Sequence, residues 1–140
     1  MTSKIRKLSS LVGVTAAAAA ISVLTTGTAT AAPAWYNDPN SCTNVKTAAI
    51  ATVEGRTVEV RYGTCGGAQY GWGRILGYAA ADYIRLEVDT TGDRVADDRD
   101  YYLANARNYT RGYLSSARLR ACFVRSPSGT CTNSNATAWW

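Results

Sequence analysis

Tyr83-Ile84-Arg85-Leu86-Glu87-Val88 sets an apolar side chain at every second position with a polar one between, the period-two alternation of a strand with one buried face. Ile84, Leu86 and Val88 share the inward side; Arg85 and Glu87 share the other and are expected to face solvent. The period recurs upstream in Thr57-Val58-Glu59-Val60-Arg61-Tyr62, where the valines point one way and Glu59 and Arg61 the other. It recurs again downstream in Arg118-Leu119-Arg120-Ala121-Cys122-Phe123, with Leu119, Ala121 and Phe123 opposite the arginines. Weaker strand patterns cover residues 45–53, 70–78, 101–106 and 108–113. Gly63, Gly66-Gly67, Gly92, Gly112 and Gly129 punctuate these runs at turn positions. The pattern predicts an all-β chain: a small, disulfide-bonded antiparallel sandwich or barrel of about seven strands. Residues 79–81 read as a helical turn, residues 101–108 as strand or helix, and residues 32–44, with two prolines, as a loose lead-in.

Ahead of the strands, Lys4, Arg6 and Lys7 precede an uncharged apolar stretch from Leu11 to Leu24, and Ala29-Thr30-Ala31 supplies small residues at a cleavage position. This is the pattern of a secretory signal peptide over residues 1–31, leaving one secreted β-domain over residues 32–140. The apolar stretch is shorter than the roughly 20 residues a spanning helix needs, so no membrane attachment is expected after cleavage. Without that segment the formal charge falls from +5 to +2, too small a basic footprint for a nucleic-acid partner. The chain has no histidine, which excludes imidazole-based triads and His-ligated zinc. Its four cysteines, Cys42, Cys65, Cys122 and Cys131, all follow the export segment and read as two disulfides. Three pairings are possible; Cys42–Cys65 with Cys122–Cys131 closes the shortest loops and is favoured. A monomer is expected.

Charge is unevenly spread. Residues 82–100 carry seven acids against three arginines, and residues 101–140 carry five arginines and no acid. Either two faces meet different partners, or the two segments neutralise each other across neighbouring strands. Within the acidic segment, the twelve residues from Asp89 to Asp100 resemble the calcium loops of thrombospondin type 3 repeats and EF-hands. Acids stand at positions one, five, nine and twelve, and Gly92 sits in the turn. By that resemblance Asp89, Asp93, Asp97 and Asp100 would be side-chain ligands and Val95 would offer its carbonyl. Thr91 at position three, Arg94 at position six and the charge of Arg99 depart from the pattern. The alternative is a solvated acidic turn. Calcium is the one cofactor considered.

The chain after residue 31 holds 14 aromatic residues and 11 arginines against the single Lys46. Arg61, Tyr62, Trp72 and Arg74 are its densest cluster and the expected binding surface, because arginine forks onto anions and stacks on rings. Trp72 also suits a core position. Arg61-Tyr62-Gly63-Thr64-Cys65 followed by Trp72-Gly73-Arg74-Ile75, with an earlier Cys42, the export segment and a closing Cys131 and Trp139-Trp140, resembles small secreted actinobacterial proteins of unknown function. In that group an R-Y-S-x-x-C-x-x-x-W-x-R-I strand pair is the hallmark; here Gly63 replaces the serine, and six residues separate Cys65 from Trp72. The resemblance implies a disulfide-bonded β-domain outside the cell and transfers no catalytic residue.

Three functions are weighed. The first is a non-enzymatic extracellular binding module for a cell-wall polymer or a protein, stabilised by calcium if the acidic loop is a site. The second is a protease inhibitor presenting residues 63–73 as a rigid loop anchored by Cys65. The third is a small glycoside hydrolase using a carboxylate pair among Glu54, Glu59, Asp82 and Glu87, which requires two of them in one pocket. The binding module is preferred, with no catalytic residue expected.

Overall fold

The computed structural model describes Gly27 and residues 30–140; the export segment read over residues 1–31 lies almost wholly outside the described residues. Eight strands follow: β1 (Trp35–Tyr36), β2 (Thr43–Val53), β3 (Arg56–Cys65), β4 (Ala68–Leu76), β5 (Tyr83–Asp89), β6 (Asp98–Leu103), β7 (Gly112–Leu114) and β8 (Arg118–Val124). They form a five-stranded sheet in the order β1-β7-β4-β3-β2 and a three-stranded sheet in the order β6-β5-β8. Every pairing is antiparallel. The all-β reading holds, and of its two architectures the structure is the sandwich: two open sheets, not a closed barrel. The extra strand is β1, inside the stretch read as a loose lead-in; there Trp35 meets Tyr113 edge-on at 4.8 Å. Residues 79–81 form a turn instead of a helix, and β6 ends at Leu103 before another turn.

The three alternating segments that define the fold supply the core. Val58, Val60 and Ile75 from the larger sheet meet Ile84, Leu86, Val88, Leu119, Ala121 and Phe123 from the smaller. Gly71 and Gly73 let the sheets approach closely: a Cβ at Gly71 would come within 2.5 Å of Leu119 Cδ1 and 2.8 Å of Trp140.

Both hairpins of the larger sheet turn in two residues. Glu54-Gly55 joins β2 to β3 and Gly66-Gly67 joins β3 to β4, all four residues at positive φ, as a two-residue turn of primed type requires. Residues 63–73 are therefore a tight hairpin rather than a presented loop, with Cys65, Tyr70 and Trp72 buried. β2 lies at the edge of its sheet, and its register against β3 slips twice, between Thr43 and Lys46 and between Thr47 and Ala49.

Alternation correctly separated inward from outward residues but not outward from exposed. The Cys122–Cys131 disulfide draws the C-terminal segment over the outer face of β5 and β8. Residues 135–140 then run along β8, with Phe123 N–H donating to the Asn135 carbonyl, Thr137 N–H to Ala121, and Leu119 and Trp140 exchanging two bonds of 2.8 Å. Glu87, expected in solvent, is 3% exposed: Arg85 and Arg120 donate to it at 3.1 and 2.9 Å, and Cys131 N–H at 3.2 Å. Glu59, also expected in solvent, is buried beneath Arg74. Ion pairs from Asp100 to Arg111 and from Glu87 to Arg120 join the acidic segment to the basic one, as the neutralisation reading requires.

Candidate functional site

The second disulfide, Cys42–Cys65, does for the larger sheet what the first does for the smaller. It holds residues 36–42 against the outer face of β3 and β4, where Tyr36 packs on Tyr70 at 5.2 Å between ring centres. Cys65, Tyr70 and Trp72 form a buried cluster under this roof, with Tyr36, Cys42 and Tyr109 against it. The roof ends near Pro39 and Asn40. Beyond it the outer face is open, and its strand pairing sets side chains in ordered rows. Thr47, Arg61 and Trp72 make one row; Ile50, Glu59, Arg74 and Tyr109 make the next; Thr52, Thr57 and Leu76 make a third.

At the step between roof and open face lies a cavity of about 290 Å³ lined by Pro39, Asn40, Val45, Arg61, Trp72, Arg74, Asn108 and Tyr109. Three of the four residues expected to form the binding surface, Arg61, Trp72 and Arg74, meet here. Tyr62 does not. As the strand neighbour of Arg61 it points to the opposite face, where its ring lies 4.9 Å from that of Trp140. Trp72 is only 4% exposed, so it is a wall and a core residue together. Asn40, Asn108 and Tyr109 carried no local signal. They arrive by topology: Tyr109 through an isolated bridge to Arg74, and Asn108 because its Nδ2 donates to the Ile75 carbonyl at 3.0 Å.

The electrostatics are one-sided. Arg74 Nε donates to Glu59 Oε2 at 2.7 Å, with the Arg74 side chain 31% exposed and that of Glu59 8%. The acid lies below and the guanidinium faces out. Arg61 Nη1 donates to Thr47 Oγ1, and among the described residues Arg61 makes no ion pair. Partial burial and then the neighbouring charge of Arg74 lower the Arg61 pKa, so its cation is held at a cost that a bound anion would relieve. No acid lines the cavity.

The acids of the loop read as calcium ligands accept hydrogen bonds from the chain itself. Asp89 is buried and accepts from Thr91 N–H and hydroxyl, Gly92 N–H and Arg94 N–H, so both of its oxygens are occupied by the loop's own backbone. Asp93 accepts from Val95 N–H, Asp97 from Thr90, and Asp100 turns away to Arg111. Among the described residues no three acids gather in a metal-holding group.

Two carboxyls are held below their ordinary value of 3.8. Burial pushes Asp82 up, but the Arg56 bonds at 2.8 and 3.2 Å and Ala79 N–H outweigh it. Burial also pushes Asp89 up, and its backbone donors outweigh it. A depressed folded-state pKa contributes stability above the unfolded value and loses it as pH falls through the folded one. With no histidine to titrate between pH 5 and 8, thermal midpoints are expected to be level across that range and to fall below about pH 4. Asp82→Asn should lower the neutral midpoint and flatten the acid decline; an unchanged acid slope in that variant would remove Asp82 from the account.

Compared with known proteins, the chain matches no family model, no curated protein and no solved structure. Among the described residues no helix is long and apolar enough to cross a membrane.

Proposed function

We propose that the chain is an exported, non-enzymatic module that binds an acidic cell-wall polymer through the open outer face of its five-stranded sheet, with the Arg61–Arg74 cavity as the anchoring point. The observation that carries this reading is Arg61: a half-buried cation with no ion pair among the described residues, beside a second guanidinium, in a cavity without an acid. Charge complementarity selects an anionic occupant, and the flanking Val45, Ile50 and Leu76 offer apolar contact along a chain-like ligand. Export is supported by the charge and hydrophobic pattern of residues 1–31 and by two disulfides.

The carboxylates favour binding over hydrolysis. Glu59 and Glu87 lie on the outer faces of different sheets, each committed to arginine, and Asp82 is committed to Arg56. Among the described residues no two of Glu54, Glu59, Asp82 and Glu87 line one cavity, the arrangement that glycoside hydrolysis needs. This reading needs no calcium, since amide hydrogens of its own loop hold the Asp89 carboxylate in place. Millimolar calcium against a chelator is expected to move the midpoint by less than about one degree, whereas a site filled to 100 times its Kd would raise it by on the order of ten.

The binding test is co-sedimentation of the exported domain with purified cell-wall material. Arg61→Gln removes one solvent-side bond, to Thr47, so the fold should survive while retention falls about tenfold, close to 1.4 kcal/mol. Retention equal to the parent's would refute the cavity as anchor.

A further inference from the structure

The donors left over in this cavity narrow what it takes. Arg74 spends its Nε on Glu59, and among the described residues its two terminal nitrogens have no partner. Arg61 spends only Nη1, on Thr47. Two guanidinium edges are thus open on neighbouring strands. Arg61 is the register partner of Trp72 and Arg74 that of Glu59, which makes the two arginines a diagonal pair within reach of one small ion. A guanidinium fork meets a carboxylate through both of its oxygens in one plane. Two forks approaching from different strands offer donors out of one plane, and a tetrahedral group has oxygens to meet both. The cavity's 290 Å³ lies at the small end of ligand sites, room for a charged group and the unit that carries it rather than for a run of sugars. Tyr109 and Trp72 wall it on the side away from β2.

We infer that the Arg61–Arg74 cavity is a subsite for a phosphate ester, the phosphate being carried on the acidic polymer. This rests on the binding reading above and specifies its chemistry. Arg61 takes two of the phosphate oxygens, Arg74 reaches a third across the diagonal, and the ester carbon lies toward Tyr109. Glu59 keeps the Arg74 side chain in place from below, where it is screened from the ligand.

The test is a titration of the ¹⁵N-labelled exported domain, following the Nε–Hε resonances of Arg61 and Arg74. The probes are glycerol phosphate, inorganic phosphate and glucuronate. Glycerol phosphate is expected to shift both resonances saturably and at least tenfold more tightly than glucuronate. Arg61→Gln should weaken it by tenfold or more, and Arg99→Gln on the other sheet should leave it unchanged. If glucuronate binds as tightly, the phosphate assignment falls while the acidic-polymer reading stands. If inorganic phosphate binds and glycerol phosphate does not, the site takes the free ion and the polymer-borne phosphate is refuted. If no probe moves either resonance and Arg61→Gln still sediments with wall material, both readings fail.

Discussion

Glu87→Gln is expected to destabilise the protein by about 3–5 kcal/mol, the cost of breaking a buried ion pair from one side. In a domain of this size that lowers the thermal midpoint by on the order of 15 °C. The reason lies in what the substitution leaves behind. Arg85 is 4% exposed and its Nε has Glu87 as its salt-bridge partner, so removing the acid strands a guanidinium inside the protein. Arg120 suffers less, because it also donates to the Cys131 carbonyl and lies over the Trp139 ring. Glu54→Gln is the control. Its bridge to Arg125 has the same 2.9 Å length as the one from Arg120, but the side chains are 57% and 66% exposed, and about 0–1 kcal/mol is expected there. Replacing both members of the buried pair, Arg85→Met with Glu87→Leu, should recover most of the loss. A Glu87→Gln variant no weaker than Glu54→Gln in denaturant melts would mean that water reaches the pair.

Removing the Cys42–Cys65 bridge by serine at both positions is expected to cost about 3 kcal/mol by the loop it closes, at a sequence separation of 23. Its consequence for binding sets it apart. That bridge pins the segment bearing Pro39 and Asn40, two walls of the cavity, so anion affinity should fall as well. The paired substitution of Cys122 and Cys131, at a separation of 9, should cost nearly as much stability, about 2.5–3 kcal/mol. It acts on the other sheet and should leave affinity for glycerol phosphate unchanged. Equal loss of affinity in both variants would show a general loosening and remove the roof from the account of the site.

The parts of this structure legible in the sequence are those governed by local periodicity. The runs 57–62, 83–88 and 118–123 identified three strands and their inward faces, because alternation is a property of the backbone alone. What lies over the outward face is decided by segments distant in sequence, so Glu59 and Glu87 were placed in water when the chain's own ends and arginines cover them. Tyr62 was legible but misjudged: adjacent strand residues point to opposite faces, so it could never have joined Arg61 in one surface. Arg61, Trp72 and Arg74 were recoverable as a group because Arg61 and Trp72 are partners in the β3–β4 register and Arg74 lies on the same face two residues on. Tyr109 and Asn40 were not recoverable, since each reaches the cavity across a connection without a pattern of its own. The acidic loop shows the converse. Its acid spacing is plain in the sequence, and the structure adds that Gly92 and its neighbours turn their amide hydrogens onto Asp89.

The two slips of register in β2 have a bearing on how the molecule behaves in company. This is an eleven-residue border with no acid, a single lysine and Ile50 63% exposed, the kind of margin along which copies stack into fibrils. A straight border would offer an unbroken comb of amides and carbonyls to the next molecule. Two irregularities bend it, so that a copy aligned at one end falls out of step before the other. An exposed apolar edge strand thus offers a second copy only short stretches of matching register.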